Sequence, residues 1–319
     1  MNRREFVKQV AMASAVIAGA KFIGYGCSEP AKNIRWSMGW ILWRDFKNAE
    51  ISFSEAVNNL HELGLDGIEY TPRPNDLTKY GFNTRENLRD FLAEKNISVT
   101  ANYFRGDFYD PEKHGSIISS FYNTLENLKF YNAKNVILEP PGRGGWVDIN
   151  HAATENIESV IPEKIKAMSP FLNQLGKIAA EEGMTIGIHP HLNTIVETPD
   201  EIDLLMDLTD PEFVKMVPDT GHLFLGGGNV AEIIKKYQDR ICYLHLKDAS
   251  GVFKRPNFGP NVRELGKGEI DFPEVMRILK EAQFTGWLNV EQDYTTMTPY
   301  ESASESMKYI NGSMKPVYS

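Results

Sequence analysis

Residues 217–251 read VPDTGHLFLGGGNVAEIIKKYQDRICYLHLKDASG, and this stretch decides the fold. It holds two short apolar runs with polar, metal-competent residues at their ends. Asp219 and His222 close the first, while His245 and Lys247 lie in the second. Between them Val230–Tyr237 repeats its apolar residues at helical spacing. Strand, helix, strand, with reactive side chains at the carboxyl ends of the strands, is the grammar of a parallel α/β barrel.

Working outward, the same alternation fills the chain after Pro30. Strands are expected over Asn33–Trp40, Asp66–Tyr70, Ile97–Tyr103, Asn135–Glu139, Thr185–His191, Val214–Thr220, Ile241–Lys247 and Gly286–Gln292. Helices are expected over Ser52–Leu63, with Ser52 and Glu55 as a capping box, and over Thr84–Lys95, Gly115–Ala133, Ile161–Glu182, Thr198–Leu208, Asn229–Tyr237, Phe272–Ala282 and Ser302–Ile310. Eight strands and eight helices fit a (β/α)8 TIM barrel over residues 31–319. No GxGxxG follows the first strand, which argues against a doubly wound dinucleotide fold. Three long loops, Arg105–His114, Pro140–Val160 and Ser250–Glu269, are placed to cover the mouth.

The remaining composition narrows the function. A chain of 319 residues with 42% hydrophobic residues can bury a large core. A net charge of -9 argues against a nucleic-acid partner, because phosphate binding needs clustered Lys and Arg. A small polar substrate fits better, and the oligomeric state is left open. Residues 1–30 read as an address: Asn2-Arg3-Arg4-Glu5-Phe6-Val7-Lys8 resembles a twin-arginine export motif, and the apolar Val10–Ala20 is too short to span a bilayer. An exported, periplasmic protein is expected. Ala18-Gly19-Ala20 offers a cleavage site, and Gly26-Cys27-Ser28 offers a lipidation site that would be its route to a membrane. With Cys242 the sole other cysteine, no disulfide framework is expected.

Alternate residues of a barrel strand share a face, so the strand ends reveal what points inward. Thr185, Gly187, His189 and His191 share one face, and Ile186 and Ile188 the other. The same reading turns Asp219, His245, Lys247, Glu139 and Glu291 inward. Taken singly, a strand-end Glu is usually a loop acceptor and a lone His a satisfied core residue. Four of seven histidines, however, fall on strands five to seven or just after them, on the rim where barrels do chemistry. Carboxylates and imidazoles gathered there suit Mn, Co, Mg or Zn as a divalent metal ion. His189, His191 and His222 are the candidate proton carriers, because imidazole titrates near neutrality, and Lys247 is suited to hold a substrate oxygen. Glu69, Tyr103, Trp146, Lys254 and Arg255 are candidate substrate contacts. Trp36, Trp40 and Trp43 are stacking surfaces or core.

From Ile188 to Asp293 the chain resembles the inosose dehydratase group of the xylose isomerase-like barrels, a superfamily of sugar isomerases, epimerases and endonuclease IV. The resemblance rests on His189-Pro-His191-Leu-Asn-Thr, Asp219-Thr-Gly-His222-Leu, Tyr243-Leu-His245-Leu-Lys-Asp248, Gly266-Lys-Gly-Glu-Ile-Asp271 and Val290-Glu291-Gln-Asp293. It implies a divalent metal held by Asp219, His245 and Glu291. Glu139 matches the fourth ligand of inosose dehydratases and is the expected one. Many members carry Glu on the fifth strand, where His189 stands here as a substitute ligand or an acid/base. The implied chemistry is proton abstraction beside a carbonyl of an inosose or 3-keto-glycoside, completed as a lyase (dehydratase) reaction. The alternatives are a sugar isomerase or epimerase on the same scaffold and a non-catalytic sugar-binding barrel.

Overall fold

The apolar runs are strands whose two faces are both covered, by helices outside and by other strands' side chains inside. In the computed structural model, which describes residues 34–44, 52–70, 74–143 and 160–318, they form a ring. The strands are β1 (Ile34–Gly39), β2 (Gly67–Glu69), β3 (Ser98–Val99), β4 (Ala101–Arg105), β5 (Asn135–Glu139), β6 (Thr185–Ile188), β7 (Val214–Met216), β8 (Tyr243–Leu246), β9 (Asp248–Ala249), β10 (Val262–Arg263) and β11 (Gly286–Val290). Parallel pairing runs β3-β2-β1-β11-β8 and β4-β5-β6-β7. Two joins close the ring. β3 and β4 are halves of one stave, where Thr100 N–H donates to Ile68 C=O at 3.1 Å, and β7 meets β8 through the bridges Met216 to Ile241 and Asp219 to His245. The expected eight-stave TIM barrel is present. β9 and β10 form an antiparallel pair beyond it.

The helices are α1 (Phe53–Glu62), α2 (Arg85–Glu94), α3 (His114–Phe130), α4 (Ile161–Glu181), α5 (Pro199–Leu208), α6 (Thr220–Leu225), α7 (Val230–Lys236), α8 (Phe272–Glu281) and α9 (Pro299–Tyr309). Their starts follow capping chemistry. Ser52 accepts from Glu55 N–H, and Thr198 with Glu201 and Thr298 with Glu301 form complete capping boxes. The helix expected over Ser302–Ile310 therefore begins at Pro299. A second correction concerns Val214–Thr220. The strand stops at Met216, because Pro218 has no N–H to continue the ladder and Asp219 caps α6, so Thr220 opens a helix. Likewise β6 ends at Ile188, ahead of Pro190.

The inside of the ring is graded. Ala101, Ile137, Val217, Tyr243 and Trp287 form an apolar cluster of their own. The Tyr243 hydroxyl meets Thr100 Oγ1 at 2.8 Å and Ser37 Oγ at 3.3 Å, and Ser37 donates to Asn289 Oδ1 at 2.8 Å. Two residues beyond Ile137, Val217, Tyr243 and Asn289 come Glu139, Asp219, His245 and Glu291, so apolar and neutral polar layers support the charged one. Trp36, Trp40 and Trp43 are buried and belong to the core; Trp40 packs edge-on to Phe53 with centroids 5.1 Å apart. Among the described residues no helix is long and apolar enough to cross a membrane. The export motif, Cys27 and Trp146 lie outside the described residues.

Candidate metal centre and active site

Strand ends and one helix start converge on the site. Asp219 stands where β7 gives way to α6, and its two oxygens divide the work. Oδ1 accepts His222 N–H at 2.9 Å, capping α6, while the buried Oδ2 receives no hydrogen bond and stands 3.8 Å from His245 Nδ1. Lys247 Nζ lies 3.1 Å from Oδ2 as an ion pair. Gly221 makes that approach possible, since a Cβ there would sit 2.6 Å from Lys247 Cγ.

His189, Asp219, His245 and Glu291 are all buried, and one ligand atom from each lies within 4.8 Å of the others. His245 Nδ1 is 2.6 Å from Glu291 Oε2 and 3.8 Å from Asp219 Oδ2. His189 Nδ1 sits 3.3 Å from Val217 C=O, which leaves a buried Nε2 without a partner. An unpartnered imidazole nitrogen and a carboxylate oxygen of this kind, both dry, are what a divalent ion satisfies. The donor set fits a metal.

Glu139 takes a different place from the one expected. It accepts from Arg105 Nε at 2.6 Å and pairs with Arg105 Nη2, and it is absent from the four-residue group. The fourth position in that group is held by His189. The reason is lateral: Arg105 and Glu139 are register partners on β4 and β5, so the guanidinium claims the carboxylate before it reaches the axis.

The electrostatics sort the groups into roles. Burial pushes the Asp219 carboxyl up to about 6, against the pull of Lys247. Burial acts the same way on Glu291, but there Lys247 and His245 outweigh it and hold the carboxyl well below its usual range. For His245 burial is overcome by Glu69 and Glu291, so its pKa is raised. Burial lowers His189 and His222, keeping both imidazoles neutral. Burial also opposes the Lys247 ammonium, yet Asp219, Asp293 and Glu291 raise it further.

Around this core stand the proton-handling candidates. The His191 and His222 rings lie 3.8 Å apart, and Phe258 packs against them at 5.7 and 5.0 Å. His222 Nε2 is 2.9 Å from Lys247 Nζ, and its buried Nδ1 is unpartnered. Tyr103 Oη lies 3.3 Å from both Glu291 oxygens. Three proposed substrate contacts are otherwise engaged. Arg255 forks onto Glu197 at 2.7 and 2.6 Å, Lys254 is exposed, and Glu69 binds His245.

Two functional carboxylates escaped the sequence reading. Asp293 pairs with Lys247 at 2.6 Å; it lies just past the end of β11, two residues beyond Glu291, so extending the period-two count past the strand end would have found it. Glu197 gives no local signal. Buried, it receives Arg143, Arg255 and the Asn193 N–H, tying together the loops after β5, β6 and β8.

An α/β barrel whose carboxyl-end mouth gathers two carboxylates and two imidazoles defines a class, the metal-competent barrels. Residues 57–312 match the sequence profile of the xylose isomerase-like TIM barrel, and the chain belongs to that family. It is 39% identical over 304 residues to an inosose dehydratase of Bacillus velezensis, covering 89% of this chain and 97% of the relative. An inosose dehydratase of Clostridium beijerinckii is 30% identical over 275 residues, covering 82% of this chain and 89% of the relative. Among solved structures, the IOLI protein with a binding zinc atom superposes with a TM-score of 0.71 at 20% identity, covering 89% and 99% of the two chains.

Proposed function

We propose that this protein is a metal-dependent carbohydrate lyase, a dehydratase of an inosose or a 3-keto-glycoside. The observation that carries the reading is the buried group His189, Asp219, His245 and Glu291 with neutral His222 and charged Lys247 beside it. Identity to inosose dehydratases supports the substrate class. Two imidazoles and two carboxylates favour Zn, Co or Mn over Mg, which prefers an all-oxygen shell. A divalent ion held there supplies Lewis acidity that eases loss of the C–H proton beside a carbonyl.

The chain's own groups account for the rest. His191, whose Nδ1–H is held by the Leu192 carbonyl at 2.6 Å, accepts the proton from carbon at Nε2, with neutral His222 alongside. The electron pair of the broken C–H bond forms the new C=C, and the β C–O bond breaks. The departing oxygen takes that proton from the imidazolium and leaves as water or an alcohol, while the Lys247 ammonium, kept charged by Asp219, Asp293 and Glu291, stabilises the oxygen as its charge develops. Phe258 packs beside the His191 and His222 rings, and Tyr103 beside Glu291.

The test is NMR in D2O on an inosose and a 3-keto-glucoside with the metal-restored protein. Loss of the β-substituent is expected. Deuterium uptake without elimination would convert the reading to an isomerase or epimerase, and tight binding with neither would make it a sugar-binding barrel. We further propose that the chain is exported; Arg3-Arg4 and the apolar segment after them support this, and such a location suits an oxidised sugar substrate.

A further inference from the structure

We infer that Glu69, at the end of β2, is a positioning residue for the metal centre: it holds His245 by Nε2 from across the barrel so that Nδ1 alone is presented to the ion. This rests on the metal-centre reading above and deepens it. An imidazole ligates through one nitrogen at a time, and the other keeps an N–H that must find an acceptor in dry surroundings. His245 Nδ1 faces the group, 2.6 Å from Glu291 Oε2 and 3.8 Å from Asp219 Oδ2. Its Nε2 points away from the group, 2.7 Å from Glu69 Oε2.

The carboxylate has little freedom to do anything else. Glu69 is only 6% exposed, and it also engages the Tyr243 hydroxyl, which Thr100 and Ser37 hold from the layer below. Charge adds to orientation, because a carboxylate on the distal N–H makes the imidazole a more basic ligand.

The experiment compares Glu69→Ala, Glu69→Gln and Asp219→Ala with the unaltered chain. Co2+ affinity is measured by titration of its visible absorption, and the tautomer of 15N-labelled His245 by NMR, with circular dichroism to confirm folding. Glu69→Ala is expected to weaken Co2+ binding about 10- to 100-fold and to mix the His245 tautomers. Glu69→Gln keeps an acceptor oxygen and should lose only a few-fold, with Nε2–H retained. Wild-type Co2+ affinity in both Glu69 variants, with Asp219→Ala unable to bind, would overturn the positioning role and leave the centre standing. A raised KM with unchanged Co2+ affinity would make Glu69 a substrate contact and overturn it equally. If Asp219→Ala binds Co2+ normally, the centre itself is wrong. Should Glu69→Ala not fold, the Gln variant and its His245 tautomer decide: a mixed tautomer with unchanged affinity contradicts the inference.

Discussion

Lys247 shows how much one side chain carries at this barrel mouth. Fully buried, it stands 3.1 Å from Asp219, 2.6 Å from Asp293 and 3.9 Å from Glu291. A buried cation with its partners in place contributes little net stability, but removing it leaves carboxylates facing one another without compensation. Lys247→Met should therefore destabilise the metal-free protein by about 3–5 kcal/mol in urea unfolding near neutral pH. The sign with pH follows. Burial already holds the Asp219 carboxyl above its unfolded value, and loss of the ammonium raises it further, so stability falls as pH rises and returns on acidification. The deficit should be smaller at pH 5.5 than at 7.5, and added Mn2+ should narrow it. An equal deficit at both pH values with no response to metal would show that Lys247 acts by packing alone.

At the scale of elements, Asp248 organises the loop that follows the seventh stave. Its carboxylate is buried and accepts N–H groups from Ala249, Gly266 and Gly268, each at 2.8 Å, and from Ile270 at 3.4 Å. One side chain thus substitutes for the ladder that this turn lacks. Gly268 must remain glycine, because a Cβ there would lie 2.1 Å from Asp248 Oδ1. Asp248→Ala should cost about 2–4 kcal/mol, since several buried amides lose their acceptor together. Hydrogen exchange should accelerate at Gly266 and Gly268 while the amides of β5 and β6 stay protected. Uniform acceleration across the barrel would instead mark Asp248 as part of the global core. The loop also carries Phe258 and Arg255, so its order shapes the cavity through the Arg255 to Glu197 pair.

At the scale of the whole molecule, the proposed export and the proposed chemistry bear on each other. Replacing Arg3 and Arg4 by Lys should leave the protein in the cytoplasm with its barrel intact, read by cell fractionation and by metal content of the retained form. Normal periplasmic recovery of that variant would remove the export proposal without touching the site.

Much of this was legible in one dimension. Period-two and helical apolar spacing, capping residues and strand-end polarity announced eight staves, and turned His189, Asp219, His245 and Glu291 inward, because these signals are local consequences of covalent geometry and burial. What the folded chain alone decided are choices between neighbours far apart in sequence. Arg105 removed Glu139 from the group, Glu69 crossed the barrel to His245, and Arg255 turned to Glu197 rather than the cavity. Charged side chains have several chemically adequate partners, and which one they take depends on distances that only closure of the ring sets.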